Sequence, residues 1–549
     1  MKFAVSGFAG AIKALQAKLI PSDSIGVDSV NQKPGRGDFR AWRNPLTVAT
    51  VPSGRSTIYR IGRDVASDTN YWLSWPTTVH AVRGFIDSDP TERTYFTGDG
   101  PPKVTDNVIG LATPPYPTAA RLLGVPAPTQ QPSLTEVTPG AGTAETRFYV
   151  YTFVTDQGEE SAPSPVSASI TCQPGAVITV GNLGGPPVGN YGITLQRVYR
   201  TQNAADGATE FFFLREIAIG STSTTDDGRA LGETLATATW GMPPADLKQL
   251  HAMWNGIMAG ISGRAVRYCE PDAPYAWPPA YETLTPDCTP VALASYQQTL
   301  VVLTTGKPTV VGGTSPDALE DKSVEFDQAC VSDRGAVGLG HGVGYPSPDG
   351  LCYVGSASPP RVLTNGILLK EDWEALRPST IIGSKYEGAY YGSYDDGTGR
   401  KGFFVDPLNP QGIYFVSLGF AALFSDRLQD GMFGLDGVNV RKWDAGADFM
   451  TARFRSKVFR APFKVNMGWA EVVADSFPLT FRMWSSRKNP GTGQMEMVLR
   501  KTKVVTSREP FSMPSGYLSD EYQFEIEASA GVAVQGFAVA ETVEELRQL

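Results

Sequence analysis

The sequence predicts an all-β protein: an irregular β-propeller-like body, an inserted β-sandwich and a C-terminal β-rich domain. Three observations predict it. Gly (58) and Pro (42) are abundant in the 549 residues, while charged residues make up 19%, below the ~25% of average globular chains. Short apolar runs rich in Thr, Val and Tyr recur every few residues between Gly, Pro and Asp turns, the rhythm of antiparallel sheet. Helical spacing is scarce, with only residues 7–19 and 541–549 coming close.

Taken in order, residues 1–55 read as an N-terminal extended segment, with loop-like text in VNQKPGRGDFRAWRNP. Residues 56–135 read as the first part of the body, with strands at TIYRIGR (57–63), YWLSWP (71–76), 79–86 and 94–97 and a tight turn at Asp99-Gly100. The Pro/Ala/Thr-rich run 114–139 reads as an extended connector. Residues 140–245 form a new compositional unit. TRFYVYTFVT alternates apolar and polar positions, GITLQRVYRT and EFFFLREIAI follow, and Asp226-Asp227-Gly228 closes it. Strands at this spacing over about 100 residues suggest a small β-sandwich. From 250 to 447, blocks of two to four short strands recur, several joined by Gly turns such as Asp349-Gly350 and Asp396-Gly397. Irregular propeller blades fit these blocks best, and a pair of stacked sandwiches is the alternative. Residues 448–549 read as a last strand-rich domain.

The net charge of −9 argues against broad electrostatic binding of nucleic acid, which needs Lys and Arg against phosphates. No window of ~18 uninterrupted apolar residues exists, so no transmembrane helix is expected. The start, MKFAVSGFAGAIKALQAKLIP, has an apolar stretch broken by Ser6, Gly7 and Gly10, and is read as a short amphipathic segment rather than a signal peptide. The five cysteines (Cys172, Cys269, Cys288, Cys330, Cys352) lack a CxxC pair, and the histidines number three (His80, His251, His341). No disulfide framework, metal site or cofactor is expected, and a reducing place of synthesis fits.

Arg36-Gly37-Asp38 spells an adhesion tripeptide, but such a triplet arises easily in a Pro/Gly loop. Gly312-Gly313 and Gly338-Leu-Gly340-His-Gly342 lack the P-loop pattern and read as turns and close packing. The acidic pairs Asp87/Asp89, Asp226/Asp227 and Asp395/Asp396 deserve comparison with glycosidase carboxylates, yet each sits beside a turn, where Asp caps its own backbone. No GxSxG elbow occurs, so no enzyme is expected. Arginines and aromatics cluster at Phe39, Trp42 and Arg43, at Tyr275 to Trp277, and at Phe454, Arg455, Phe459 and Arg460. They read either as core with solvated Arg or as a protein–protein interface, where both residue types are enriched. The first and last of these clusters are the interface candidates.

Three stretches carry a resemblance. They are VRGFIDSDPTERTYFTGDGPPKVTD within residues 58–106; RFYVYTFVTDQGEESAPSPVS with LQRVYRT; and residues 243–278 and 294–319, continuing into QACVSDRGAVGLGHGVGYPSPDGLCYVG and KEDWEALRP. Together they resemble the podoviral tail nozzle (tail tubular protein B-like) family of phage tail structural proteins, over about residues 55–445. The resemblance implies a propeller-like body with a fibronectin type III-like insertion, forming a homo-oligomeric ring, commonly sixfold. That ring would surround the path by which double-stranded DNA leaves, dock a head–tail adaptor on the portal side, and meet fibres or spikes. It implies a virion protein made in the host cytoplasm, with nothing catalytic among the matched positions. A propeller lectin binding host glycan through exposed Tyr275 and Trp277 is the main alternative, and a propeller glycosidase the next.

Overall fold

Short β-branched and aromatic runs closed by Gly turns form strands throughout the computed structural model, which describes all residues except 36, 63–70, 87–88, 204–208, 286, 357, 427–430 and 548–549. The chain is all-β. Among the described residues helix is confined to Lys370–Ala375, Val543–Arg547 and two single 3-10 turns.

Seven sets of antiparallel strands among the described residues form the blades of a propeller. The first has two strands, Thr57–Arg60 and Trp72–Trp75. The second runs from His80–Arg83 to Arg121–Leu122, the third from Lys248–Ala252 to Glu282–Leu284, and the fourth from Pro290–Tyr296 to Glu320–Ser323. The fifth runs from Val337–Gly338 to Arg361–Val362 and the sixth from Ile382–Tyr386 to Tyr414–Val416. The seventh joins Ala422–Asp426, Gly431–Asp436 and Asn439–Lys442 to Leu46–Thr50 from the N-terminal region. Middle blade strands such as Thr94–Thr97, Met258–Ser262, Thr299–Thr304 and Gly431–Asp436 are buried on both faces because each blade packs between two others. Alternation sends Tyr390 into the cluster shared with Tyr353 of the fifth blade, and Tyr391 into the one shared with Met432 of the seventh. Apolar clusters fill the remaining seams: Leu73 with Phe96, Tyr95 with Met258, Ile261 with Leu300, Val301 with Val343, and Phe433 with Trp72. This circular packing selects the propeller over stacked sandwiches.

Between the second and third blades the chain forms a sandwich. Ser133–Thr138, Val177–Gly181 and Thr224–Asp226 make one sheet, and Tyr149–Thr155, Ile193–Asn203 and Thr209–Ala218 the other. Tyr149, Tyr151, Phe153, Ile178 and Val198 fill its core. The run 114–139, expected as an extended connector, contains two pairing strands instead. Arg121–Leu122 is the edge of the second blade and Ser133–Thr138 the edge of the sandwich.

The C-terminal region is a second sandwich around Phe481, Tyr522, Phe524 and Phe537. One of its sheets continues from the sixth blade through Gly26–Val30 into Ala452–Ser456, Ser519–Ala528, Leu479–Lys488 and Met495–Val505. The first 55 residues are not one extended segment. Lys2–Val5 pairs with Val534–Ala540, Gly26–Val30 bridges propeller and sandwich, and Leu46–Thr50 completes the seventh blade. Residues 7–19 are not helical. Gly7 and Gly10 take positive φ (141° and 84°), and backbone bonds go outward, from Ala11 N–H to Ile413 O (2.9 Å) and from Ile12 N–H to Gly26 O (2.9 Å). The C-terminal stretch does form a helix, Val543–Arg547.

Candidate functional site

The first strand of every blade faces the propeller axis, and together they line a cavity of ≈ 1080 Å³. These strands stay close because Gly338 has no side chain: a Cβ there would stand 2.4 Å from Ser295 O. The lining is polar and cross-linked between blades. Arg60 NH1 donates to Asp426 Oδ2 at 3.2 Å, a buried ion pair joining the first blade to the seventh. His251 Nε2 and Ser295 Oγ lie 2.9 Å apart across the third and fourth blades. Gln249, held at a left-handed φ of 56°, donates to Asp333 O at 3.0 Å. Arg334 donates to Ser56 O (2.6 Å) and Ala421 O (3.2 Å), tying the segment before the fifth blade to those before the first and seventh. Burial lowers Arg334 to about 10, helped by the nearby Arg400. Burial also lowers His80 to about 4, with Asp333 opposing and Arg334 assisting, so this imidazole is neutral at pH 7.

The lining carboxylates Glu92 and Asp426 engage arginines, Arg83 at 3.6 Å and Arg60, while Asp333 is exposed. A glycosidase would need one acid raised and one ionised across a substrate gap. Burial pushes the thiols of Cys269, Cys330 and Cys352 up to about 12, far from nucleophilic thiolates. Among the described residues no group of His, Cys, Asp and Glu is arranged to hold a metal.

The acidic pairs lie apart from this cavity. Asp89 caps Thr91 (3.0 Å to its N–H), and although burial opposes it, bonds from Thr91 and Arg93 hold its carboxyl at about 2; its partner Asp87 lies outside the described residues. Asp395 accepts from Gly397 N–H (2.9 Å), and Asp396 is held low by Lys401 and Thr398. Asp227 is exposed and paired with Arg229. Asp226 combines its turn bond to Gly228 N–H (2.9 Å) with a buried role, accepting from Tyr149 OH (2.7 Å) and Arg200 (2.8 Å) inside the inserted sandwich. Asp38 accepts from Arg40, and Arg36 of the adhesion-like triplet lies outside the described residues.

The interface candidates divide by chemistry. Phe39, Trp42, Phe454 and Phe459 are all within the chain's own core, at most 5% exposed. Phe39 exchanges backbone bonds with Val534 (2.9 and 2.8 Å) and packs on Phe8. Trp42 stacks on Phe404 at 5.0 Å. Phe454 meets Phe8 edge-on at 4.9 Å, and Phe459 packs against Phe3 at 5.1 Å. These rings present no surface to a neighbour, which corrects the interface reading for them. Arg43 lies over Phe449 (5.3 Å), Arg455 lies over Trp484 (4.2 Å), and Arg460 reaches Glu521 at 3.2 Å with a largely exposed side chain. Trp277, the aromatic expected on a lectin loop, is 3% exposed, and its Nε1 donates to Pro274 O (2.8 Å); Tyr275 packs against the same core. Sequence reasoning missed Arg60, Gln249, Arg334 and Asp426; for Arg60, Gln249 and Asp426 the common signal is a charged or amide group inside a short blade-initial strand, whereas Arg334 sits in the turn before the fifth blade.

No protein-family model and no curated protein matches the chain. Among solved structures it is similar to the extracellular domain of BT4673 from B. thetaiotaomicron (9% identity, TM-score 0.19). That alignment covers 70% of this chain but 48% of the other, so this chain spans about half of that relative. It is also similar to an exo-β-1,3-galactanase from Phanerochaete chrysosporium (9%, TM-score 0.19, covering 90% and 100%). A third is PorZ, a surface component of the type-IX secretion system of Porphyromonas gingivalis (11%, TM-score 0.23, covering 88% and 82%). Likeness this distant carries no argument about activity.

Proposed function

We propose that the chain is a structural subunit of a phage tail nozzle or hub ring, forming part of the conduit for genomic double-stranded DNA and docking an adaptor and fibres or spikes. The observation that carries this reading is the placement of the family-like stretches. In sequence order they fall in the first two blades, the inserted sandwich, the third to fifth blades and the Lys370–Ala375 helix, so they span five of the seven blades and the insert. The subunit's own axial cavity, bridged by Arg60–Asp426, is a cross-linked seam, so in this reading the conduit lies between copies. A net charge of −9 suits a wall that must pass a polyanion without holding it. The reading includes no catalytic step, in keeping with acids engaged by turns and arginines. Negative-stain images of the purified full chain test it. Rings with a central hole are expected, and compact monomers at all concentrations would overturn it.

A further inference from the structure

With Phe39, Trp42, Phe454 and Phe459 in the core, those rings are unavailable to a contact between copies. Two sheet edges offer complementary chemistry. Met495–Val505 ends the sheet shared by the sixth blade and the C-terminal sandwich. Arg500 is bulged, since Met483 pairs with Lys501 and Trp484 with Leu499. This leaves Lys501 to Val505 (KTKVV) as a regular run with one side of its backbone unpaired in the sheet. Half-buried Lys501 and exposed Lys503 have no ion-pair partner among the described residues. At the other site, Glu320–Ser323 (EDKS) ends the fourth blade, exposed at all four positions. Glu320 and Asp321 likewise have no ion-pair partner there. One chain thus carries an open basic edge and an open acidic edge.

We propose that the basic edge of one copy adds as an antiparallel strand to the acidic edge of a second copy, an inference that rests on the ring reading above. Unpaired edge groups are templates for such addition. Period-two alternation allows a register with Lys503 opposite Asp321 and Lys501 opposite Ser323, diagonal to Asp321. The reverse combinations, basic on basic and acidic on acidic, place like charges together and are disfavoured. Because the edges lie at different places on one molecule, each copy gives one and accepts one. That is a heterologous contact, which closes into a ring when its rotation divides a full turn. A four-residue strand pair is small beside the ~1,600 Å² of a standard interface. Exposed Met495, Leu499 and Val504 on the same strand supply adjoining apolar area.

Sedimentation velocity on the full chain, beside a thermal melt, tests this. The wild type should assemble. Lys501→Glu/Lys503→Glu and Glu320→Lys/Asp321→Lys should each sediment as the 58.9 kDa monomer with an unchanged melt, and the chain carrying all four changes should assemble again. Assemblies persisting in both double variants would overturn the strand contact and leave the ring reading standing. Failure of the fourfold variant to reassemble would likewise overturn the pairing. A wild type that stays monomeric would overturn both.

Discussion

Trp42 and Arg43 are neighbours in one Arg/aromatic cluster, yet their substitutions should behave differently. Trp42 is buried between Phe404 and Trp443 (5.0 and 5.4 Å), with Lys33 Nζ 4.7 Å from its ring. Trp42→Ala should cost about 3–5 kcal/mol, read as a lower urea midpoint, whereas Arg43→Ala should stay within about 0.5 kcal/mol. Equal midpoints for the two would show that the ring is not core. The sequence could not separate them, because this segment is held by isolated bridges (Gln32↔Ala41, Arg43↔Phe449) rather than a periodic strand. His80 makes a pH prediction. Its ordinary value of 6.5 falls to about 4 in the fold, so between these pH values the unfolded chain binds a proton that the folded chain excludes. Stability is therefore full above about pH 6.5 and lost as pH falls toward 4, by about 1–3 kcal/mol from this group. His80→Gln should flatten that part of the urea-midpoint profile, and an unchanged slope would remove His80 as its source.

At the scale of elements, the legible strands were those with continuous apolar or alternating text. Thr94–Thr97 matches its expected bounds residue for residue, and the strands expected at 57–63, 71–76 and 79–86 contain Thr57–Arg60, Trp72–Trp75 and His80–Arg83. The blade-initial strands Lys248–Ala252 (KQLHA), Ile382–Tyr386 (IGSKY) and Ala422–Asp426 (ALFSD) were not legible. One side of each faces the axial cavity, so polar groups stand where burial would otherwise demand apolar ones. The candidate site was therefore legible only in part: the lining strands Thr57–Arg60 and His80–Arg83 fall within expected strands, while these three do not. Outer strands such as Glu320–Ser323 escaped for the opposite reason, being solvated edges with little apolar signal. The inserted sandwich gives a test of boundaries. Its edge strand Ser133–Thr138 pairs with Val177–Gly181 and lies upstream of the expected start at 140. Residues 126–240 expressed alone should melt cooperatively with β-type circular dichroism. Residues 140–245 should melt lower, because Val177–Gly181 loses a neighbour and Leu134 leaves the core. A disordered spectrum for residues 126–240 would count against an independently folding insert.

At the scale of the whole molecule, the two chain ends are interlocked. Residues 1–24 supply the strand Lys2–Val5 and the core side chains Phe3, Val5 and Phe8 to the C-terminal sandwich. Residues 25–50 supply the bridging strand Gly26–Val30 and the outer strand of the seventh blade, Leu46–Thr50. The propeller therefore closes only when a strand from near the start of the chain joins three strands synthesised almost 400 residues later. That pairing carries a large loop-closure entropy, repaid only once the seams on both sides of the blade are filled. Removing residues 1–24 should lower the melt of the C-terminal sandwich and loosen the outer edge of the sixth blade, where Ala11 and Ile413 exchange backbone bonds, while leaving the seventh blade protected, because its closure does not use those residues. Removing residues 1–50 should in addition expose Val440 and Leu435 and release the seam to the first blade. Amide exchange should then accelerate in Gly431–Asp436 and Asn439–Lys442, and spread to the first blade through the Phe433–Trp72 contact (5.0 Å between ring centroids). Hydrogen exchange on both truncations, read peptide by peptide, separates the two effects. Full-length protection of the seventh blade in the longer truncation would show that three strands close the ring without the N-terminal one.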